Sequence, residues 1–212
     1  PPGQLHKHWD QLYPLLVVVL GSPKRAEMAR EVLWWQTHMG ACYLKAEKIE
    51  RVIVTGDFHF STQMVGADTS EFYECLKSAE KAKAIPLAWS KTARRLNAEF
   101  RASVGFVGGK RCLGGCLELL EHCHYLVAVN GAELGMPEVT LPVVPGMEGC
   151  HWPFRKARKE DWPKLLKLLV GGKSIRAEET VGWLADYAGP MDDALAAAYR
   201  AASKDGALPA RK

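Results

Sequence analysis

The chain has 212 residues, of which 48% are hydrophobic and 25% are charged, and its formal net charge is +4. This length and composition are typical of a globular protein of one or two domains, and they exclude a disordered or fibrous chain. The longest aliphatic run, residues 15–20, is far shorter than the roughly 20 residues that a membrane helix needs, so we expect no membrane span. Positive and negative side chains alternate along the sequence, which argues against a nucleic-acid-binding protein.

The cysteines and the first residues bear on where the protein resides. Six cysteines are spread along a chain whose start is polar and proline-rich, unlike a secretory signal. We therefore expect reduced thiols in a cytoplasmic protein rather than a disulfide framework. The sequence also begins without methionine, and we expect a piece of a longer chain.

The first half of the chain predicts two buried strands separated by helices. An aliphatic run closed by Gly21-Ser22-Pro23 indicates a strand that ends in a turn. A later helical pattern stops before Pro86, since a proline favours a helix end. The predicted strands are 15–20 and 51–55, and the predicted helices are 24–47, 69–84 and 89–101.

The second half of the chain begins with a Gly-rich stretch at 105–115, which indicates a loop. One further strand is predicted at 125–129, and residues 130–154 are predicted to be mainly loop. The predicted helices are 116–124, 162–169, 176–184 and 191–203. The alternation of strands and helices predicts an α/β fold.

Three patterns give only weak evidence for a phosphate-binding, nucleophilic or metal site. Gly-Gly-Lys-Ser at 171–174 lacks the earlier glycine of a phosphate-binding loop, since Lys167 stands there. No G-x-S-x-G nucleophile elbow occurs. A cluster of cysteines and histidines has no standard zinc spacing, so we expect no metal site; its members are Cys112, Cys116, His122, Cys123 and His124.

The segment 113–146 contains the most informative arrangement. Gly114-Gly115 opens a helix, so the Gly115 N–H lies among the donors at its positive end and would polarise a bound carbonyl. Glu118 lies about one turn further along the same face, and Glu138 follows 20 residues later. Two carboxylates converging on one small site would raise the pKa of one of them and suit acid–base work on a water. From spacing alone, two solvated glutamates and a glycine pair that permits tight packing explain the same residues.

This segment resembles the enoyl-CoA hydratase/isomerase (crotonase) superfamily. Members of that superfamily carry a Gly-Gly turn, a helix with a glutamate, a Gly-x-Pro-Glu loop and a Pro-Gly turn. The matching residues are Leu113-Gly114-Gly115, Glu118, Gly135-Met136-Pro137-Glu138 and Pro145-Gly146. Further similarities extend the match over residues 15–185: Pro23-Lys24, a strand at 51–56, a Gly-Ala-Asp loop at 65–68 and a helix entry at 169–179.

The resemblance implies an α/β fold, a crotonase-like spiral of repeated ββα units that binds acyl-CoA. It divides the chain into a core at 1–170 and a shortened C-terminal helical segment at 171–212. It implies an oxyanion hole for the thioester oxygen, formed by the N–H groups of Ala67 and Gly115. Glu118 would activate the water that adds to Cβ, and Glu138 would deliver a proton to Cα. The other substrate-binding residues that the resemblance implies are Lys24, Arg25, Val65, Gly66, Asp68, Gly114, Pro137 and Gly146.

The expected activity is therefore that of an enoyl-CoA hydratase, the reversible syn addition of water to a 2-enoyl-CoA thioester in fatty-acid β-oxidation. Coenzyme A is part of the substrate, so no separate cofactor is expected. Members of the superfamily continue with helices that build trimers and cover the site. We therefore expect a homotrimer or a fused or partner dehydrogenase domain.

Three departures from the superfamily pattern leave alternatives open. The loop at 56–65 is long, Lys110-Arg111-Cys112 replaces a small turn, and Glu148 adds a third carboxylate that would raise a neighbour's pKa. These departures leave open other crotonase chemistry, such as enoyl-CoA isomerisation or acyl-CoA hydrolysis. A non-catalytic acyl-CoA-binding module is the third alternative.

Overall fold

Two β-sheets form the frame of the protein. A computed structural model describes residues 15–19, 50–55, 63–65 and 77–203, apart from residue 142. The larger sheet is parallel, with neighbouring strands in the order β1 (Leu15–Val19), β2 (Arg51–Thr55), β4 (Ala102–Val107), β6 (Tyr125–Val129) and β9 (Tyr187–Gly189). The smaller sheet contains β3 (Gln63–Val65), β5 (Arg111–Leu113), β7 (Glu133–Gly135) and β8 (Ile175–Arg176). Strands β3, β5 and β7 are parallel, and β8 runs antiparallel to β7.

The chain visits one sheet, then the other, and then forms a helix. Strands β2 and β3 precede helix α1 (Ala79–Ala98), and strands β4 and β5 precede helix α2 (Gly115–Glu121). Strands β6 and β7 begin the next turn and lead into a short 3-10 helix, Pro137–Thr140. This is the spiral of ββα units that the resemblance implies, so the predicted fold class is confirmed.

All three predicted strands are confirmed, as β1, β2 and β6, but β4 and β5 were missed because their glycines indicated a loop. A Cβ built on Gly105 would lie 2.8 Å from Leu120 Cβ and 2.9 Å from Leu120 O. The glycine is therefore present because α2 packs closely on β4, and it does not mark a turn. The predicted helix at 24–47 lies outside the described residues.

Helix α1 contradicts the prediction of a helix end before Pro86. The helix is capped by Ser78, whose Oγ accepts the Lys81 N–H at 3.4 Å, and it continues through Pro86 to Ala98. Its second half buries Ser90 and Ala93, and Trp89 packs against the core. This tertiary packing stabilises a continuous helix even though the proline removes one hydrogen bond of the helix.

The chain after residue 170 contributes to both sheets. The predicted helix at 176–184 is wrong, because that segment forms β8, a 3-10 helix at Ala177–Thr180 and a turn with Gly182 at a φ of +90°. The predicted helix at 162–169 is confirmed as α4 (Trp162–Gly171), which follows the short helix α3 (Trp152–Lys156). The last predicted helix is confirmed as α5 (Met191–Ala202). Because β9 pairs with β6, the segment 171–202 is part of the same α/β unit.

The core lies on both faces of the larger sheet. Alternate residues of β2 point to opposite faces, so Val52 and Val54 join one buried cluster while Ile53 joins the other. The second cluster is closed by α5, whose small alanines let the helix lie close to the sheet. The first cluster surrounds α2, and this leaves Glu118 of α2 buried. Over the residues that the structure describes, no helix is both long and apolar enough to span a membrane.

Candidate active site

Glu118 is held by backbone amides from a distant loop. It lies in the first turn of α2, its side chain is only 2% exposed, and its Oε2 accepts two hydrogen bonds. The donors are the N–H groups of Met147, at 2.7 Å, and Gly149, at 2.8 Å. A Cβ on Gly149 would lie 2.9 Å from Glu118 Cγ, so the loop contacts this side chain at a position that only glycine permits.

Glu138 lies over the beginning of α2. It follows Pro137 in the 3-10 helix and is 9% exposed. A Cβ built on Gly114 would be only 2.7 Å from Glu138 Oε1, and Gly114 has a φ of +55°. The Gly114 N–H also donates to Gly135 O at 2.9 Å, which ties the beginning of α2 to β7. The Gly-Gly pair therefore gives Glu138 the space to lie beside α2.

The two carboxyl groups share an environment that retains a proton. Burial raises the pKa of Glu118 to about 7, the negative charge of Glu138 adds to this rise, and the amides of Gly149 and Met147 oppose it. Burial also raises the pKa of Glu138. A pair with these properties carries one proton near neutral pH, which is the state that acid–base chemistry by two carboxyls requires.

The other predicted substrate-binding residues fall into two groups. Gly115 is the first residue of α2, where a backbone N–H has no acceptor within the helix. Val65 ends β3 and pairs in register with Leu113, so the chain leaves β3 at the same sheet edge at which β5 leads into α2. The predicted residues Lys24, Arg25, Gly66, Ala67 and Asp68 lie outside the described residues.

Gly146 lies in the loop that holds Glu118, and this loop is anchored to α1. The Ser90 hydroxyl donates to Gly146 O at 3.3 Å, and a Cβ built on the same glycine would lie 3.5 Å from Pro86 Cβ. The sequence did not reveal the amides of Met147 and Gly149 as ligands of Glu118. Backbone donors carry no residue signature, so only the pair of glycines at 146 and 149 hinted at a close approach.

The expectation that Glu148 raises the pKa of a neighbouring glutamate is corrected by the structure. Its carboxylate points to the Arg94 guanidinium on α1 and lies 3.7 Å from His122 Nε2. The Arg94 side chain lowers the pKa of Glu148, and the raised pKa of Glu118 comes from burial and from Glu138. The sequence correctly indicated that residue 148 lies near the two glutamates, but it did not reveal that the Glu148 side chain turns toward Arg94.

The Cys/His cluster of the sequence is part of the structural core. Cys112 and Cys123 are buried apolar side chains, and His124 Nδ1 lies 2.9 Å from Ser103 Oγ. His122 stacks on Trp152 with 5.0 Å between ring centroids. Within the described part of the chain, no group of three His, Cys, Asp or Glu side chains is arranged to hold a metal ion.

Comparison with known proteins identifies the family. The chain is 31% identical over 188 residues to the glyoxysomal fatty acid beta-oxidation multifunctional protein MFP-a of Brassica napus. This match covers 87% of this chain and 25% of that protein. It is also 31% identical over 154 residues to the 2,3-dehydroadipyl-CoA hydratase of Escherichia coli, and this match covers 72% of this chain and 56% of that protein. Human enoyl Coenzyme A hydratase domain-containing protein 3 has a similar fold, with a TM-score of 0.72, 18% identity, and coverage of 92% of this chain and 74% of that one. This chain belongs to the crotonase superfamily.

The crotonase relatives are longer than this chain. It is 29% identical over 168 residues to the probable enoyl-CoA hydratase of Bacillus subtilis, and the match spans 78% of this chain and 61% of that protein. The solved enoyl-CoA hydratase of Bacillus anthracis shares the fold at a TM-score of 0.67 and 23% identity, over 82% of this chain and 65% of that one. No protein-family model matches the chain. The crotonase assignment therefore rests on individual relatives and on the fold.

Proposed function

We propose that this crotonase site hydrates a 2-enoyl-CoA thioester, as the names of several relatives suggest. The observation that carries the proposal is the pair of buried carboxyl groups, Glu118 and Glu138, beside the glycine-opened end of α2. Two carboxyls with raised pKa values can hold one proton between them near neutral pH. A single shared proton is what the syn addition of water needs.

The addition uses two proton transfers, one at each carboxyl group. Glu118 uses Oε1, the oxygen that the Met147 and Gly149 amides leave aside, to accept a proton from the water whose oxygen bonds to Cβ. Glu138 delivers its own proton to Cα, so Glu138 is protonated before the addition, and Glu118, which has taken a proton from the water, is protonated after it. The Gly115 N–H, together with the N–H predicted at Ala67, would stabilise the negative charge that develops on the thioester oxygen. Coenzyme A enters as part of the substrate in this scheme.

The test is the loss of enoyl-thioester absorbance when the protein is mixed with crotonyl-CoA. We expect the wild-type protein to hydrate it and Glu118→Gln and Glu138→Gln each to lose roughly 10²–10⁴-fold in kcat. Glu179→Gln, an exposed glutamate on the 3-10 helix that follows β8, is the matched control and should keep the wild-type rate.

A second measurement, the affinity for free coenzyme A, separates the alternatives. If the wild-type protein binds coenzyme A but hydrates neither short, long nor aromatic enoyl-CoA, the hydratase proposal is wrong. Isomerase, hydrolase or pure binding activity would then have to be measured in its place. If the Gln variants keep full activity, the two-carboxyl mechanism is wrong even though hydration occurs.

A further inference from the structure

The loop that holds Glu118 has an unusual backbone at its centre. Among the described residues, Glu148 is the only non-glycine residue with a positive φ, which is +73°. Side chains with a Cβ rarely adopt this left-handed conformation. It reverses the chain between Met147 and Gly149, so that the amides on either side of Glu148 point to the same oxygen of Glu118.

The Glu148 side chain is fixed from a neighbouring helix. Its Oε2 accepts from Arg94 Nε at 3.0 Å, and its Oε1 accepts from the second guanidinium nitrogen, Nη2, so the contact is bidentate. The Arg94 side chain is 62% exposed and that of Glu148 is 16% exposed, so the ion pair lies at the protein surface. A two-point contact of this kind sets the orientation of a carboxylate as well as its position.

His122 fixes the residue before Glu148. His122 Nε2 donates to Met147 O at 2.7 Å, and His122 directly follows the last residue of α2, one turn beyond Glu118. Burial lowers the pKa of His122, so the neutral ring donates this bond at neutral pH. His122 thus orients the peptide unit before Glu148, while Arg94 of α1 holds the Glu148 side chain.

We propose that Arg94 and Glu148 are positioning residues whose ion pair holds residue 148 in the left-handed conformation and thereby aims the Met147 and Gly149 amides at Glu118. The proposal rests on the proposed function only where catalytic rate is the readout. The titratable and charged groups around Glu148 are Arg94 from α1, His122 directly after α2 and His151 from its own segment, and Glu118 faces Glu138 and Cys150.

Substitutions at residue 148 separate the effect of the left-handed backbone conformation from the effect of the Glu148 side chain. Glu148→Ala removes the ion pair and keeps a Cβ, so we expect the loop to relax and kcat for crotonyl-CoA to fall about ten- to a hundredfold, with KM changed by less than about threefold. Glu148→Gly also removes the ion pair, but glycine adopts positive φ freely, so this variant should stay within about threefold of wild-type kcat.

Substitutions at Arg94 complete a double-mutant cycle with the substitutions at residue 148. Arg94→Ala should lower kcat like Glu148→Ala in the native background and should have no further effect in the Glu148→Gly background. Lys91→Ala removes an exposed cation one turn earlier on α1 and is the matched control. Since the amides favour the charged form of Glu118, Arg94→Ala should also move the alkaline limb of the pH–rate profile to higher pH.

A readout independent of turnover is the proton chemical shift of the Met147 and Gly149 amides. We expect both signals to titrate with Glu118 in wild-type protein, to lose that titration in Arg94→Ala and Glu148→Ala, and to regain it in Glu148→Gly. Unchanged amide shifts and kcat in Arg94→Ala would overturn the proposal, as would a Glu148→Gly variant that is as impaired as Glu148→Ala. If the wild-type protein hydrates no enoyl-CoA, the amide titration still decides the positioning role, so the two failures remain distinct.

Discussion

The two glutamates of the site are held in different ways. Glu118 is fixed by hydrogen bonds from a loop about 30 residues further along the chain, and that loop is anchored on α1. Glu138 is fixed by the short turn in which it lies and by its close packing over Gly114. Its Oε2 is buried and has no hydrogen-bond partner among the described protein groups. Glu118 therefore depends on hydrogen bonds from a distant loop, whereas Glu138 depends on its own turn and on the space that Gly114 leaves, and one of its oxygens accepts no hydrogen bond from the described protein groups.

The largest expected effect comes from the glycine on which Glu138 lies. Gly114→Ala adds a Cβ 2.7 Å from Glu138 Oε1 at a backbone φ of +55°, so it displaces Glu138 and strains the beginning of α2. We expect hydration of crotonyl-CoA to fall more than about a hundredfold. Gly171→Ala, where an added Cβ meets no atom within 4 Å, is the control and should keep activity.

Gly149→Ala makes the corresponding change on the Glu118 side. The new Cβ would lie 2.9 Å from both Glu118 Cγ and Pro145 Cβ, so Glu118 must move out of reach of the two amides. We expect a loss of about a hundredfold in kcat and a higher pKa for Glu118, seen as an alkaline shift of the pH–rate profile. An unshifted profile with normal kcat would show that the loop accommodates the methyl group.

The stability of the protein should depend on pH through Glu118. Its pKa is about 7 in the folded protein against an ordinary value of 4.5, so the folded protein binds this proton more tightly than the unfolded chain does. The free energy of unfolding therefore falls as the pH rises from about 4.5 to above 7, by up to about 3 kcal/mol. Urea unfolding of wild-type protein and Glu118→Gln at pH 5 and pH 8 measures this, and the Gln variant should lose distinctly less stability. Equal losses of stability in both proteins would show that Glu118 does not cause the pH dependence.

The rate of hydration should fall on the alkaline side of neutrality. Above about pH 7 the carboxyl pair loses its last proton, and kcat/KM should then decrease about tenfold for each pH unit. The profile is measured with crotonyl-CoA from pH 5 to pH 9. A rate that stays level up to pH 9 would show that the two glutamates do not share the reacting proton.

The smallest expected effect concerns the anchor of the Glu118 loop on α1. Ser90→Ala removes the hydrogen bond from the Ser90 hydroxyl to Gly146 O, which is 3.3 Å long and partly buried. One neutral hydrogen bond contributes about 1 kcal/mol, so we expect no more than a fivefold change in kcat. Since this loop donates the two amides that hold Glu118, the fall should come with a small alkaline shift of the pH–rate profile, in the direction expected for Gly149→Ala.

The elements that the sequence predicted correctly are those with a strong local pattern. The runs at 51–55 and 125–129 form buried strands, and Gly114-Gly115 opens a helix as expected. The prediction was wrong where a residue with a strong local preference serves a long-range contact. Gly105 lies in a strand because α2 packs on it, and Pro86 lies inside α1 because the rest of that helix packs on the core.

The sequence by itself determined the residues of the candidate site: two glutamates at a fixed separation, a Gly-Gly helix start, and the crotonase pattern that contains them. These are local features, since a helix start and a Gly-x-Pro-Glu turn involve only neighbouring residues. The tertiary structure decided what each carboxyl contacts and therefore its protonation. Burial of Glu118, the two amides that hold it and the turning of Glu148 toward Arg94 all come from segments far apart in the chain, and no residue type signals a backbone donor in advance.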